Sequence, residues 1–290
     1  MGEQIGIEMA EIQSSCAYCG VGCGLTISHH SSLTLAESNL SFTLKGDSAH
    51  PANFGRLCAK GEKLLLSLNQ PNTLRYPKLR SDKPLEWDVA TRLIADKFQQ
   101  TIAQHGPDSV ALYLSGQLLT EDYYVANKFA KGYLKTANVD TNSRLCMSSA
   151  VSAMQRAFGE DVVPGCYQDF EQAEVIVLIG ANTAWTHPVL FQRILAAKQT
   201  NGCKLVVIDP ICTATAKQAD LHLAVSPGAD LSLFVGLLGY LADNHCLNQE
   251  YIQHHTEGFE TVVDNAQRVS GCLTALAETV GVSKIDLTAF

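Results

Sequence analysis

Apolar residues return at helical spacing at Trp87, Ala90, Ile94, Phe98 and Ile102 and stop before Gly106, which predicts an amphipathic helix ended by glycine. Ser109–Leu114 follows as a short β-like run. Thr120 with Glu121 and Asp122 suits the start of a second helix, because acidic groups favour the positive end of the helix dipole. Further on, Val175–Gly180 and Lys204–Asp209 hold continuous rather than alternating apolar runs, the pattern of strands buried on both faces. Between them His187–Gln199 reads as a helix with Pro188 near its first turn, completing a βαβ unit. A third strand at Asp220–Val225 and an apolar helix over Asp230–Asp243 extend it. The expectation is an α/β chain with a doubly wound, mostly parallel, Rossmann-like sheet covered by helices.

The chain before Leu68 has a different texture. It is rich in Cys, Gly and Ser and poor in helical periodicity, and alternation such as that over Leu33–Leu44 suggests small strands. Gln70–Pro84 holds Pro71, Pro77 and Pro84 among Arg75, Lys78, Arg80 and Lys83, and reads as an extended connection. Three parts are expected: a small unit over 1–70, the first half of a second α/β domain over 71–135, and a Rossmann-like dinucleotide-binding domain over 136–290.

Composition narrows the function classes. Hydrophobic residues at 46% and charged residues at 17% exclude disordered, collagen-like and coiled-coil chains. A net charge of −8 argues against nucleic acid as partner. No apolar stretch reaches the ~20 residues of a membrane span. Met1–Ser15 carries Glu3, Glu8 and Glu11 without a basic or apolar export signal, so a cytoplasmic protein with reduced thiols is expected. Its clustered cysteines then point to metal rather than disulfides.

Cys16, Cys19 and Cys23 form C-x2-C-x3-C, and Cys58 follows far downstream. A tight trio with one distant ligand is the donor set of an Fe–S cubane, and Gly20, Gly22 and Gly24 let the backbone wind closely around it. Structural zinc, the alternative, usually takes two C-x2-C pairs. Cys166, Cys203, Cys212, Cys246 and Cys272 lack ligand spacing and read as buried apolar residues.

Cys16 to Cys58, then Asn142-Ser-Arg-Leu-Cys-Met-Ser-Ser-Ala150, then Gly180-Ala-Asn-Thr-Ala-Trp-Thr-His-Pro188, in that order, resemble the molybdenum bis(pterin guanine dinucleotide) oxidoreductases, and within them the assimilatory nitrate reductases. The resemblance implies that Cys16, Cys19, Cys23 and Cys58 hold a [4Fe–4S] cluster, that Lys60 lies between cluster and pterin, and that Cys146 is the thiolate on molybdenum. It also implies a dinucleotide cradle from Ile179, Gly180, Ala181, Asn182, Thr183, Ala184, Trp185 and Thr186. Further contacts would come from Asp209, Pro210, Ile211, Cys212 and Thr213 and from Gly228, Ala229 and Asp230, with Gln117 and Asn142 on the pterin side. From chemistry alone, a cysteine such as Cys146 is equally a small buried hydrophobe, and Arg144 is either an anion contact near the metal or half of an ion pair.

The run Asp209-Pro-Ile-Cys212 departs from the Asp-Pro-Arg of many relatives, so a dinucleotide contact from that arginine is missing. The resemblance implies reduction of nitrate to nitrite by a longer catalytic subunit, whose C-terminal portion is a further partner. Electrons would come from a flavoprotein, a ferredoxin or a fused reductase. Two alternatives are a formate dehydrogenase of the same superfamily, disfavoured because Met147 rather than His follows Cys146, and an Fe–S electron-transfer module without molybdenum catalysis.

Overall fold

The structure is a computed structural model, and it describes residues 10–30, 41–68, 70–71, 73–80, 83–270 and 272–290. It resolves into two compact units, Met1–Pro164 and Gly165–Phe290.

The first unit opens with an antiparallel sheet of β1 (Ala10–Ser15), β2 (Gly24–His30) and β3 (Ser41–Gly46) in that order. Ser15 faces Gly24 and Leu25 faces Gly46, so the cysteine trio forms the loop of the β1–β2 hairpin. The alternation read over Leu33–Leu44 emerges as β3 at its C-terminal end, and residues 31–40 lie outside the described residues. Two short helices follow, α1 (Ala59–Glu62) and α2 (Leu64–Leu68). Within 70–84 the regular pairing is one isolated bridge between Lys78 and Pro84, as an extended, proline-punctuated connection requires.

The predicted amphipathic helix is α3 (Trp87–His105), and it stops where Gly106 turns to φ 82°, a conformation costly for a side chain. Next come β4 (Leu112–Leu114) and α4 (Thr120–Asn127), where the Asp122 carboxylate accepts the Leu119 N–H at 3.2 Å. A π-helical stretch, Lys128–Leu134, prolongs α4 until Lys135 adopts a left-handed φ of 59°. Then β5 (Val139–Thr141) pairs parallel with β4, and α5 (Ser143–Phe158) leaves its C-terminal end.

The second unit begins with α6 (Tyr167–Gln172), β6 (Val175–Ile179), the single turn α7 (Thr183–Thr186) and α8 (Pro188–Asn201). The helix expected over His187–Gln199 is thus separated from the turn at Asn182. Pro188 holds His187 at φ −137°, ψ 59°, outside the helical region, as the residue before a proline tends to be. β7 (Lys204–Ile208) and β8 (Leu221–Leu223) complete a parallel sheet in the order β6-β7-β8.

The continuous apolar run of β7 is explained by burial on both faces. Leu205 and Val207 pack with Phe191 and Ile194 of α8. Val206 and Ile208 pack on the other side with Leu233 of α9 (Asp230–Asp243). After α10 (Gln249–His255), α11 (Phe259–Ser270) runs along α9, while α12 (Leu273–Val280) and α13 (Lys284–Ala289) bring Leu276, Val280 and Leu287 into the same core. β6 differs from its expectation. It is an edge strand, so Ile176 is buried while Val175, Val177 and Ile179 stand 55%, 38% and 43% exposed.

Four of the five cysteines read as buried correct the sequence expectation. Cys203 is buried beside β7, but Cys166 and Cys272 occupy the N-caps of α6 and α12, Cys246 follows α9, and Cys212 lies in the loop after β7, all exposed. Apolarity sets burial only within packed elements, and these four stand at element ends. All ten cysteines are unbridged.

Asp220, ahead of β8, joins three elements. Its carboxylate accepts the Leu205 N–H at 2.8 Å and pairs with Lys198 of α8 at 2.8 Å. These two contacts, the backbone N–H first, hold its pKa below the ordinary carboxylate value. A pKa lowered by folding gives stability that is present above the unfolded value and fades as pH falls through the folded one. Asp220→Asn is therefore expected to lower unfolding stability by about 1 kcal/mol near neutrality, with the deficit closing below about pH 4, read by denaturant titration across pH.

Candidate cofactor centre

The hairpin geometry gathers the first set of sulfurs. Cys16 follows β1 and Cys23 precedes β2, and the Cys16 N–H donates to the Cys23 carbonyl at 2.8 Å. Between them the Gly22 N–H donates to the Cys19 carbonyl at 3.2 Å, with Gly22 at φ 59°. Cys16 and Cys23 are buried, while Cys19 and Cys58 are half-buried. Cys58 reaches the hairpin from a separate loop and stands at the N-cap of α1.

The other three cysteines bear on the Cys23 thiol. Burial, and then the neighbouring Cys16, Cys19 and Cys58, push the Cys23 thiol up to about 11. Each negative sulfur disfavours the next, and a positively charged inorganic core removes that penalty by binding the thiolates. Among the described residues no three Cys, His, Asp or Glu side chains meet closely enough for a single metal ion. Thiolates about 2.3 Å from one zinc crowd around it, whereas each thiolate on a cubane binds its own iron and the four stand wider apart. The donor set fits the cluster.

This loop rests on the next element of the predicted site. A side-chain carbon on Gly20 would lie 3.3 Å from the Leu118 carbonyl, and one on Gly22 would lie 3.5 Å from Leu119. Leu118 and Leu119 follow Gln117, which is exposed in the turn after β4. That turn is tied to the end of β5, where Asn142 accepts the Gly116 N–H at 2.7 Å. A side-chain carbon at Gly116 would lie 3.0 Å from Ser143, so any larger residue there must displace the Ser143 side chain. Cys146 stands one turn into α5, exposed, with Sγ 4.0 Å from the Asn142 carbonyl. It is not the buried hydrophobe that its residue type alone allows. Arg144 pairs with Asp140 at 3.6 Å in an exposed contact. Lys60 is exposed on α1, two residues past Cys58.

In the second unit, the three remaining segments all follow the C-terminal ends of parallel strands. After β6, Gly180 takes φ 57° and donates its N–H to the Ile208 carbonyl at 2.9 Å. Asn182 then caps α7, leaving Ala181 half-buried, Thr183 buried, Ala184 half-buried, and Trp185 and Thr186 exposed. After β7, Asp209 is buried and accepts the Ile211 N–H at 2.8 Å, so Pro210, Ile211 and Cys212 form an exposed turn. Thr213 accepts the Ala216 N–H at 3.2 Å. After β8, Gly228 at φ 84° and Ala229 lead into α9, whose first residue is Asp230. Ligands of open parallel sheets bind at this edge.

Sequence reasoning missed three residues here. Thr215 is fully buried, donating to Asn182 Oδ1 at 3.0 Å and accepting the Ala184 N–H at 2.9 Å, so it locks the turn after β6 to the segment after β7. His222 Nε2 meets the Asp209 carbonyl at 2.8 Å. Asn53, also fully buried, bonds to Gly24 and Arg56. No motif spacing marks them, and a lone polar residue inside an apolar stretch was the one available signal.

Residues 74–282 match the family described as Molybdopterin oxidoreductase, and residues 9–70 match the Molybdopterin oxidoreductase Fe4S4 domain. A nitrate reductase of Shewanella frigidimarina is 71% identical over 97% of this chain and 30% of its own length. A periplasmic nitrate reductase of Desulfovibrio desulfuricans is 40% identical over 84% of this chain and 32% of its own. The chain thus spans about a third of the length of these curated relatives. Acetylene hydratase from Pelobacter acetylenicus superposes with a TM-score of 0.71 over 96% of this chain and 38% of its own, at 22% identity, a likeness of fold. Among the described residues no helix is long and apolar enough to cross a membrane.

Thr215→Val removes both hydroxyl bonds at nearly constant volume. It should cost about 1–3 kcal/mol of unfolding stability, measured by thermal or denaturant unfolding, because Asn182 Oδ1 and the Ala184 N–H lose their partner.

Proposed function

Since the chain belongs to the molybdopterin oxidoreductase family, we propose that it carries the cluster domain and one flank of the molybdenum cradle of a cytoplasmic, assimilatory nitrate reductase. The cofactors these domains serve are a [4Fe–4S] cluster and molybdenum–molybdopterin; the proposal specifies the bis(guanine dinucleotide) form. The 71% identity to a nitrate reductase carries the substrate assignment. The compartment rests on ten unbridged cysteines, half of them exposed, which suit reducing surroundings.

The proposed roles follow from position. Cys16, Cys19, Cys23 and Cys58 hold the cluster, in a loop seated against the Gln117 turn. Lys60, just past the fourth ligand, sets a positive charge beside the cluster, which favours its reduced, more negative state. Cys146 is the protein thiolate for molybdenum, held by the first turn of α5, which Asn142 ties to the Gly116–Gln117 turn. Bound molybdenum supplies the two-electron oxygen-atom chemistry that turns nitrate into nitrite. Arg144, exposed near Cys146, offers a cation to the incoming anion, and its exposed pairing with Asp140 is weak enough to yield.

In the second unit, the turn at Ile179–Thr186 would line the dinucleotide with its exposed Trp185 and Thr186 side chains, since the Gly180 and Ala184 N–H groups are taken by Ile208 and Thr215. Asp230, an exposed carboxylate at the start of α9, suits the hydroxyl and amino donors of ribose and guanine rather than phosphate. The electron donor would be a flavoprotein, ferredoxin or fused reductase, and the remaining length of the subunit would complete the site.

In a preparation that reduces nitrate with a reduced dye, Cys146→Ala should abolish activity and leave the Fe–S absorbance intact. Loss of the cluster spectrum in that variant would contradict the assignment. Cys58→Ala should bleach the cluster, and a surviving spectrum would move the fourth ligand elsewhere.

A further inference from the structure

The trio and the fourth cysteine come from separate loops, and one side chain bonds beside both. Asn53 has no solvent exposure. Its Oδ1 accepts the Gly24 N–H at 2.9 Å, and its Nδ2 donates to the Gly24 carbonyl at 3.1 Å and to the Arg56 carbonyl at 2.8 Å. The amide therefore pairs with the peptide of Gly24 much as a neighbouring strand would, and uses its second N–H on the other loop. Gly24 adjoins Cys23, and Arg56 lies two residues before Cys58.

The surrounding backbone leaves little room for another arrangement. A side-chain carbon at Gly46 would collide with the Gly55 carbonyl, and one at Gly24 would collide with His50. The Asp47 N–H donates to the Gly24 carbonyl at 2.9 Å, and the Gly55 N–H donates to the Asp47 carbonyl at 2.8 Å. Phe54 and Gly55 both turn through positive φ, at 44° and 78°, to bring Arg56 back toward the hairpin.

We propose that Asn53 is the positioning residue that holds the Cys58 corner of the cluster closed, so that its loss makes the iron bound by Cys58 labile before the other three. The inference rests on the cluster assignment above. Without Asn53 the hairpin still presents Cys16, Cys19 and Cys23, because their loop is set by β1–β2 pairing. The 50s loop, still held to the hairpin through Asp47 and Gly55, loosens at its Arg56–Cys58 end. Mild one-electron oxidation by ferricyanide, which becomes ferrocyanide, then converts [4Fe–4S]2+ into [3Fe–4S]+ and Fe2+, and the freed Cys58 thiolate takes up a proton.

The test uses the 290-residue chain reconstituted anaerobically with iron and sulfide. Ferricyanide is titrated in, the paramagnetic three-iron signal is followed by EPR, and released Fe2+ is trapped by a chelator. Asn53→Ala should form the three-iron species at least tenfold faster than wild type, because three hydrogen bonds worth about 1 kcal/mol each are lost. Asn53→Ser keeps a hydroxyl for one of the two carbonyls and should show an intermediate rate, which decides the matter if Asn53→Ala does not fold. Thr215→Val, which weakens the other unit, should keep the wild-type rate. Wild-type rates in both Asn53 variants, or loss of all four irons with no three-iron signal, overturns the proposal. A wild-type chain that takes up no four-iron cluster overturns the cluster assignment itself and the role of Asn53 with it. A wild-type cluster of unaltered lability in the variants overturns the role alone.

Discussion

Thiolates repel one another, so four of them face a common centre only where the backbone forces them there. In this chain the force is the pairing of β1 with β2, which joins Cys16 to Cys23 across the hairpin, together with the return of the 50s loop that delivers Cys58. Burial adds to the repulsion by removing water, as the raised Cys23 thiol records. Without metal the raised pKa keeps Cys23 a neutral thiol, and an iron–sulfide core would remove the cost of ionising it by binding the thiolate. Close approaches at Gly24, to His50, and at Gly46, to the Gly55 carbonyl, hold the 50s loop against the hairpin.

A second regularity runs through both units. Every residue group assigned to the molybdenum cofactor follows the C-terminal end of a parallel strand: Gln117 after β4, Asn142 and Cys146 after β5, Gly180 after β6, Asp209 after β7 and Gly228 after β8. Parallel strands end together, and the turns that leave them expose N–H groups before the next helix begins. Short polar side chains stabilise those turns. Asn142 and Thr215 act in separate units by the same device, a side-chain oxygen, exposed in Asn142 and fully buried in Thr215, accepting a backbone N–H from the neighbouring turn.

Much of this was legible in the sequence because it rests on local rules. The helix over Asp230–Asp243, the Gly106 stop and the apolar run of β7 follow from period, cap and burial, and the C-x2-C-x3-C spacing names its chemistry. What escaped depends on distant contacts. The exposed face of β6 depends on the order of strands, which periodicity does not encode. The break between α7 and α8 comes from Pro188 acting on the residue before it, not from a lost apolar pattern. Cys166, Cys212, Cys246 and Cys272 are exposed because they stand at caps and turns, where residue type loses its hold on burial. Asn53 and Thr215 bond across 29 and 31 residues of sequence, beyond the reach of any motif.

Cys16, Cys19, Cys23 and Cys58 are proposed to share one cubane. Mössbauer spectroscopy of the chain prepared anaerobically with 57Fe addresses it directly, together with iron, sulfide and zinc analysis of the same sample. The account predicts four irons and four sulfides per chain, with the valence-delocalised pairs of a diamagnetic [4Fe–4S]2+ cluster. One zinc per chain, or a single tetrahedral iron without sulfide, would contradict it.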